Sequence, residues 1–328
     1  MANVQKQFEQ FHSAIRVDYD MAQELREKRD IVVKRIKKYL TDNGKPTVRE
    51  LLQGSYKMKT GVKPIADMEY DIDIGLRFDF HEDEHSASDV RAWIYDAVKD
   101  HTKRIEDKGP CIRVVYEKGF HLDLVTYAVW DQGGADQYRL AHKKRGWVEA
   151  DPPKLLEHFD TARESYKNTK DSATQTDQFR RAVRCLRRWD DVALPEESKA
   201  KPCGLAFVLL CRSRLSPTTR VDGTSDDAAA LESLARSASQ VAGRIVESKP
   251  TPEYEEMFAS LTDSQMKDLK SRLATLAESL RNAAAEPDTV KACELLRKQF
   301  GDDFPVPAPE DTAKKTAAPA IVTSSSSA

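Results

Sequence analysis

Asp71, Asp73 and Asp123 are of a type, and in a setting, that suits holding a divalent metal against phosphate. The first two stand two residues apart in the run Glu69-Tyr-Asp-Ile-Asp-Ile74. On a strand, residues i and i+2 share a face, so Glu69, Asp71 and Asp73 point one way while Tyr70, Ile72 and Ile74 point into a core. Carboxylates placed so close repel, and without a cation at least one is pushed toward its neutral form. Magnesium prefers one or two carboxylates completed by water and substrate phosphates. Asp123 lies between Leu122 and Leu124 in His121-Leu-Asp-Leu-Val125, a pattern that puts the acid on the open face and the leucines inward. A strand pairing near the first would complete a three-carboxylate cluster. Two Mg²⁺ ions, with Mn²⁺ as a substitute, between such acids and a nucleoside triphosphate would activate an attacking hydroxyl and neutralise the leaving pyrophosphate.

Upstream stands Gln53-Gly54-Ser55-Tyr56, followed by Lys57 and Lys59. A glycine lets the backbone approach phosphate oxygens, a serine hydroxyl can donate to them, and the lysines add positive charge. Gln53, Gly54, Ser55 and Lys57 are therefore candidate nucleotide-binding residues. Taken singly, a Gly-Ser turn is ordinarily a turn and Asp-x-Asp a solvated face; the joint pattern carries the reading. His121 shares the face of Asp123, but a metal-activated hydroxyl needs no histidine base. A basic helix, Phe179-Arg-Arg-Ala-Val-Arg-Cys-Leu-Arg-Arg-Trp189, has Phe179, Val183 and Leu186 as its apolar face and Arg180, Arg184, Arg187 and Arg188 elsewhere. Guanidinium forks of this kind bind phosphate oxygens bidentately; a solvated basic helix is the plain alternative.

These residues need a sheet and helices to bring them together. A short helix carrying Phe8, Phe11 and Ile15 precedes a long one with Met21, Leu25, Val32, Ile36 and Leu40 on one stripe, stopped at Asn43-Gly44. Strand-like runs cover 69–78, 111–116 and 121–129, with a helix over 87–105 between the first two. From about Pro153 the chain reads as helical. Thr262-Asp-Ser-Gln265 is a capping box, Pro287 can begin the last helix, and Gly301 ends it. The Pro-, Ala-, Thr- and Ser-rich stretch 305–328 cannot bury enough apolar surface to order itself. The expected domains are 1–152, catalytic with a spine helix; 153–304, helical; and 305–328, a disordered tail.

The chain has 328 residues, 40% of them hydrophobic and 32% charged, with a net charge of −2 and a pI near 6.4. No apolar run approaches the ~18–20 residues of a membrane span, and the first residues lack a secretory signal, so a cytoplasmic protein is expected. Five scattered cysteines, Cys111, Cys185, Cys203, Cys211 and Cys293, read as reduced thiols without zinc-ligand spacing. An obligate nucleic-acid binder would show a strongly basic domain, which this charge does not demand.

The order Gly54-Ser55, Asp71-x-Asp73, Asp123 resembles the nucleotidyltransferase superfamily typified by DNA polymerase beta. Through GSYKMKTGVKP…EYDIDIGLRFDF, HLDLVTYAV and CLRRW it is more closely similar to the bacterial cGAS/DncV-like nucleotidyltransferases, the CD-NTases. The resemblance implies an α+β fold: a mixed sheet with a long N-terminal spine helix, a helical C-terminal lobe and a cleft between them. It implies joining of nucleoside triphosphates (ATP, GTP or others) into a cyclic di- or trinucleotide second messenger in antiphage, CBASS-type signalling. Asp71 and Asp73 would then bind both metals, and Asp123 the metal serving the acceptor hydroxyl. Gly54 and Ser55 would hold the donor triphosphate. Arg187 would stand where related enzymes place a lysine two residues before a tryptophan. The pair Glu69/Asp71 is an alternative to Asp71/Asp73. In some members the C-terminus is conjugated to other molecules by proteins encoded nearby, which would give the tail a role. Alternatives are an enzyme adding nucleotides to RNA ends or to a small molecule, and a non-catalytic nucleotide-binding module.

Overall fold

The computed structural model describes residues 3–17, 19–65, 70–117, 119–195 and 198–308. The expected disordered tail and its conjugation therefore fall, from residue 309 onward, outside the described residues. The elements run α1 (Gln5–Ile15), α2 (Tyr19–Asp42), β1 (Val48–Leu52), α3 (Gly54–Met58), β2 (Tyr70–Asp79), α4 (Ala87–Val98), β3 (Arg104–Asp107), β4 (Ile112–Tyr116), β5 (Phe120–Gln132), β6 (Ala135–His142), β7 (Gly146–Ala150), α5 (Pro152–Glu164), α6 (Gln178–Ala193), α7 (Gly204–Arg214), α8 (Asp227–Ser239), α9 (Asp263–Ala285) and α10 (Thr289–Phe300).

The strands form one mixed sheet in the order β1-β2-β5-β4-β3, with β6 on the far half of β5 and β7 on β6. Among the described residues only β2 and β5 run parallel; the other pairs are antiparallel. The predicted alternation holds where it matters. Ile72, Ile74, Leu122 and Leu124 are buried in one core with Val32, Val33, Ile36 and Leu40 of α2 and Val90, Ile94 and Val98 of α4. Burying each such side chain stabilises the fold by about 1.5–3 kcal/mol. That anchors the opposite face of β2 and β5, where Asp73 and Asp123 lie, at a defined height.

The expected helix over 87–105 is shorter. It is capped at Ser86, which accepts from the Asp89 N–H, ends at Val98, and gives way to the edge strand β3. Strands β6 and β7 were not foreseen, because their burial lies in isolated residues rather than an apolar run. Charge pairs help hold this hairpin, including Arg77 with Asp136 and Arg139 with Glu82. The capping box at Thr262 forms as read, and α10 ends at Gly301, φ +79°. Its N-cap is Asp288 rather than Pro287.

Helix α1 packs with the helical lobe. Val4, at the N-cap of α1, and Phe8, Phe11 and Ile15 within it are buried with Phe300 and Phe304 in the helical core, not with the sheet. Phe8 meets both aromatic rings edge-on. Gln5 also donates to Asp227 of α8, whose carboxylate is bound bidentately by the buried Arg181 at 2.7 and 2.8 Å. A buried charge is tolerated when paired and hydrogen-bonded in this way. The chain thus starts in the helical lobe, crosses to the sheet through α2, and returns at α5.

Candidate active site

A cleft of about 1100 Å³ lies between the sheet and the helical lobe. Its sheet side carries Gln53, Gly54, Ser55, Asp73, Cys111, Arg113, His121, Asp123 and Tyr127.

Asp73 and Asp123 are direct partners across the parallel β2–β5 pair, on strands roughly 4.8 Å apart. Two ionised carboxylates about 5 Å apart repel by roughly 3 kcal/mol at an effective dielectric of ~20. Part of the compensation is visible. Arg113, opposite Asp123 on β4, binds both its oxygens at 2.8 Å. Asp123 is only 7% exposed, and the bidentate fork offsets the loss of its hydration. Arg113 was not singled out from the sequence; its place opposite Asp123 depends on antiparallel register. Asp71 lies two residues earlier on β2, opposite His121 in the register. Its side chain, like the alternative ligand Glu69, lies outside the described residues.

Gly54 sits against this pair with φ +65°. A Cβ built there would fall 2.0 Å from Asp73 Oδ2. Glycine is required twice over, by the left-handed backbone and by the approach to the carboxylate. Ser55 follows at the start of α3, and its Oγ is buried without a hydrogen-bond partner among the described residues. An unpaired buried hydroxyl beside a carboxylate pair fits a site completed by a ligand. Gln53 is oriented by Tyr127, whose hydroxyl donates to Gln53 Oε1 at 3.0 Å. Burial pushes the Tyr127 hydroxyl well above its usual range, keeping it a donor. Burial and the charge of Asp123 raise the Cys111 thiol in the same sense, which makes it inert.

The oxygen donors of Asp73 and Asp123 suit a hard divalent cation. This donor pair fits the metal that the resemblance implies, and Asp71 stands two residues before Asp73 on β2. Arg187 of α6 lines the opposite wall beside Lys201, Cys203 and Gly204 at the start of α7. Its guanidinium lies 3.2 Å from where a Gly204 Cβ would stand, and Nη1 donates to the Thr60 carbonyl at 3.0 Å. Lys57 is exposed on α3 and is not part of the cleft lining.

Residues 48–127 match the family described as cyclic GMP-AMP synthase DncV-like, nucleotidyltransferase domain. Over those residues the chain is similar to a DncV-like nucleotidyltransferase domain. A cyclic GMP-AMP synthase of Escherichia albertii is 30% identical over 184 residues, 53% of this chain and 39% of that protein. The aligned part therefore spans about two fifths of that relative's length. Vibrio cholerae DncV cyclic AMP-GMP synthase, solved with the linear intermediate 5′ pppA(3′,5′)pG, superposes with a TM-score of 0.71 at 15% identity, covering 91% of this chain and 96% of that one. Escherichia coli DncV in a 3′-deoxy GTP bound form gives 0.72 at 15% identity, covering 89% and 93%. These likenesses show that the fold of the DncV-like domain and its helical lobe is shared almost end to end. Among the described residues, no helix is long and apolar enough to cross a membrane.

Proposed function

We propose that this chain is a nucleotidyltransferase that joins nucleoside triphosphates into a cyclic di- or trinucleotide second messenger with release of pyrophosphate, in CBASS-type antiphage signalling in the cytoplasm. The observation that carries the reading is the register pairing of Asp73 with Asp123, directly beneath the Gly54–Ser55 turn in an open cleft. The names of the relatives support the product class: one is a cyclic GMP-AMP synthase, and another was solved with a linear dinucleotide intermediate. A cleft of this volume has room for ligands of that size.

Asp71, Asp73 and Asp123 would hold Mg²⁺, which when bound lowers the pKa of an attacking hydroxyl and neutralises charge on the leaving group. The chain's own residues do the rest. Gly54 brings backbone to within reach of phosphate oxygens, and the Ser55 hydroxyl, without a hydrogen-bond partner among the described residues, donates to one of them. Gln53 is held in orientation by Tyr127. Arg187 and Lys201, across the cleft from the acids, bind the far phosphates and balance their charge. Arg113 holds the Asp123 carboxylate in its plane.

The test is incubation with all four radiolabelled ribonucleoside triphosphates and Mg²⁺ or Mn²⁺, followed by phosphatase and chromatography, alongside the Asp73→Asn/Asp123→Asn double variant. A phosphatase-resistant product made by the wild type and lost in the variant supports the reading. Nucleotide addition to RNA ends or to a small molecule, with no such product, refutes it.

A further inference from the structure

The arginines of α6 were expected to face phosphate, yet three of them bind main chain. Residues 59–63 follow directly on α3, and the Thr60 N–H donates back to the Ser55 carbonyl at 2.9 Å. The loop is thus bonded to the Gly54–Ser55 turn. Its other side is taken by one helix. Arg184 donates through Nε to the Gly61 carbonyl at 3.0 Å and through Nη2 to the Lys59 carbonyl. Arg187 Nη1 takes the Thr60 carbonyl, and Arg188 Nη2 takes that of Lys63 at 2.7 Å. Helix α1 closes the arrangement. The Lys63 N–H donates to the Ile15 carbonyl at 2.7 Å, and Arg184 Nη1 donates to His12 Nε2 at 2.6 Å.

We propose that Arg184 and Arg188 are positioning residues, a clasp whose hold on the carbonyls of loop 59–63 sets the height of the Gly54–Ser55 turn above Asp73. The inference rests on the nucleotidyltransferase reading of the cleft. Packing alone does not call for a guanidinium here. Arg184 is 7% exposed, and among the described residues its hydrogen bonds go to two carbonyls and a histidine, none to a carboxylate. Burial and neighbouring arginines bring its pKa down to about 10. An apolar side chain would fill the space without that desolvation cost. A planar fork with five donors is what several divergent acceptors require. His12 fits the same scheme: burial and the Arg184 charge bring its pKa down to about 2, so it stays neutral and accepts. Lys59 stands at a left-handed φ of +54° at the end of α3, a costly conformation for a side-chain-bearing residue, and its carbonyl is one of those clasped.

The experiment measures pyrophosphate release and melting temperature for wild type, Arg184→Lys, Arg184→Met, Arg188→Met and Arg180→Met. Arg180 lies on the same helix but pairs with Asp177 at its start, so it controls for loss of charge. Displacing the turn by a fraction of an ångström is expected to raise KM for the triphosphate at least about tenfold in folded Arg184→Met. Arg188→Met rises less, Arg184→Lys falls between wild type and Arg184→Met, and Arg180→Met stays within about twofold. If Arg184→Met does not fold, Arg184→Lys and Arg188→Met decide. Folded clasp variants with unchanged KM, losing activity only with their folded fraction, overturn the clasp. A wild type that neither binds nor turns over triphosphates overturns instead the reading on which it rests.

Discussion

Replacing Gly54 with alanine adds one methyl group to the chain at the point where backbone and metal-site carboxylate meet. Two costs follow. The φ of +65° is disfavoured for an L-residue by about 1–2 kcal/mol. The new Cβ would stand 2.0 Å from Asp73 Oδ2, and contacts under 3.0 Å are essentially never seen, so the carboxylate or the turn must retreat by about 1 Å. The retreat is constrained, because Asp73 belongs to a strand paired on both sides and the turn is bonded through Thr60 to the clasped loop. A misplacement of about 1 Å at reacting groups costs on the order of 10²-fold in rate. Gly54→Ala is therefore expected to lose at least about 100-fold in kcat/KM while losing only about 1–2 kcal/mol of stability. Steady-state pyrophosphate release paired with urea denaturation separates the two quantities. Activity within threefold of wild type, in a protein as stable as wild type, would refute the close-approach argument.

Three further outcomes follow from buried charge. Arg113→Met leaves Asp123 without its fork; the stabilisation by Mg²⁺ in a melting experiment should then be larger than for wild type, because the cation replaces the lost guanidinium, and equal shifts would count against the pairing. Arg181→Met strands the buried Asp227 and should cost about 3–5 kcal/mol, with Arg181→Met/Asp227→Leu recovering much of it; a loss below about 1 kcal/mol would show that the pair is not needed. Asp190, fully buried, has its pKa pushed by burial from the ordinary 3.8 to about 6, Arg272 notwithstanding. Between those values the folded state holds a proton that the unfolded chain has released. Stability therefore falls as pH rises through the window, by on the order of 2–3 kcal/mol, and is flat above it. The melting advantage of Asp190→Asn over wild type should grow from about pH 4 to 6 and then level off; a constant difference would refute the assignment.

Local pattern alone was enough for the parts of the site that depend on alternation and on backbone geometry. Asp73 and Asp123 each sit between apolar neighbours that are buried on the opposite face, and a period of two leaves the acids only one side to occupy. The glycine of Gly54-Ser55, the capping box at Thr262 and the stop at Gly301 are equally local. Tertiary structure decided the rest. Whether the two acids meet depends on β5 lying beside β2 in a register that pairs Asp73 with Asp123, 50 positions further along the chain. Arg113 reaches Asp123 only because β4 runs antiparallel to β5. The apolar residues of helix α1 are plain in the sequence, but a stripe does not name its partner, and Phe300 and Phe304 supply it. The arginines of α6 follow the same logic. Their spacing shows that they share a helix, and only the packing of that helix against loop 59–63 shows that carbonyl oxygens, the nearest acceptors in a dry environment, hold them.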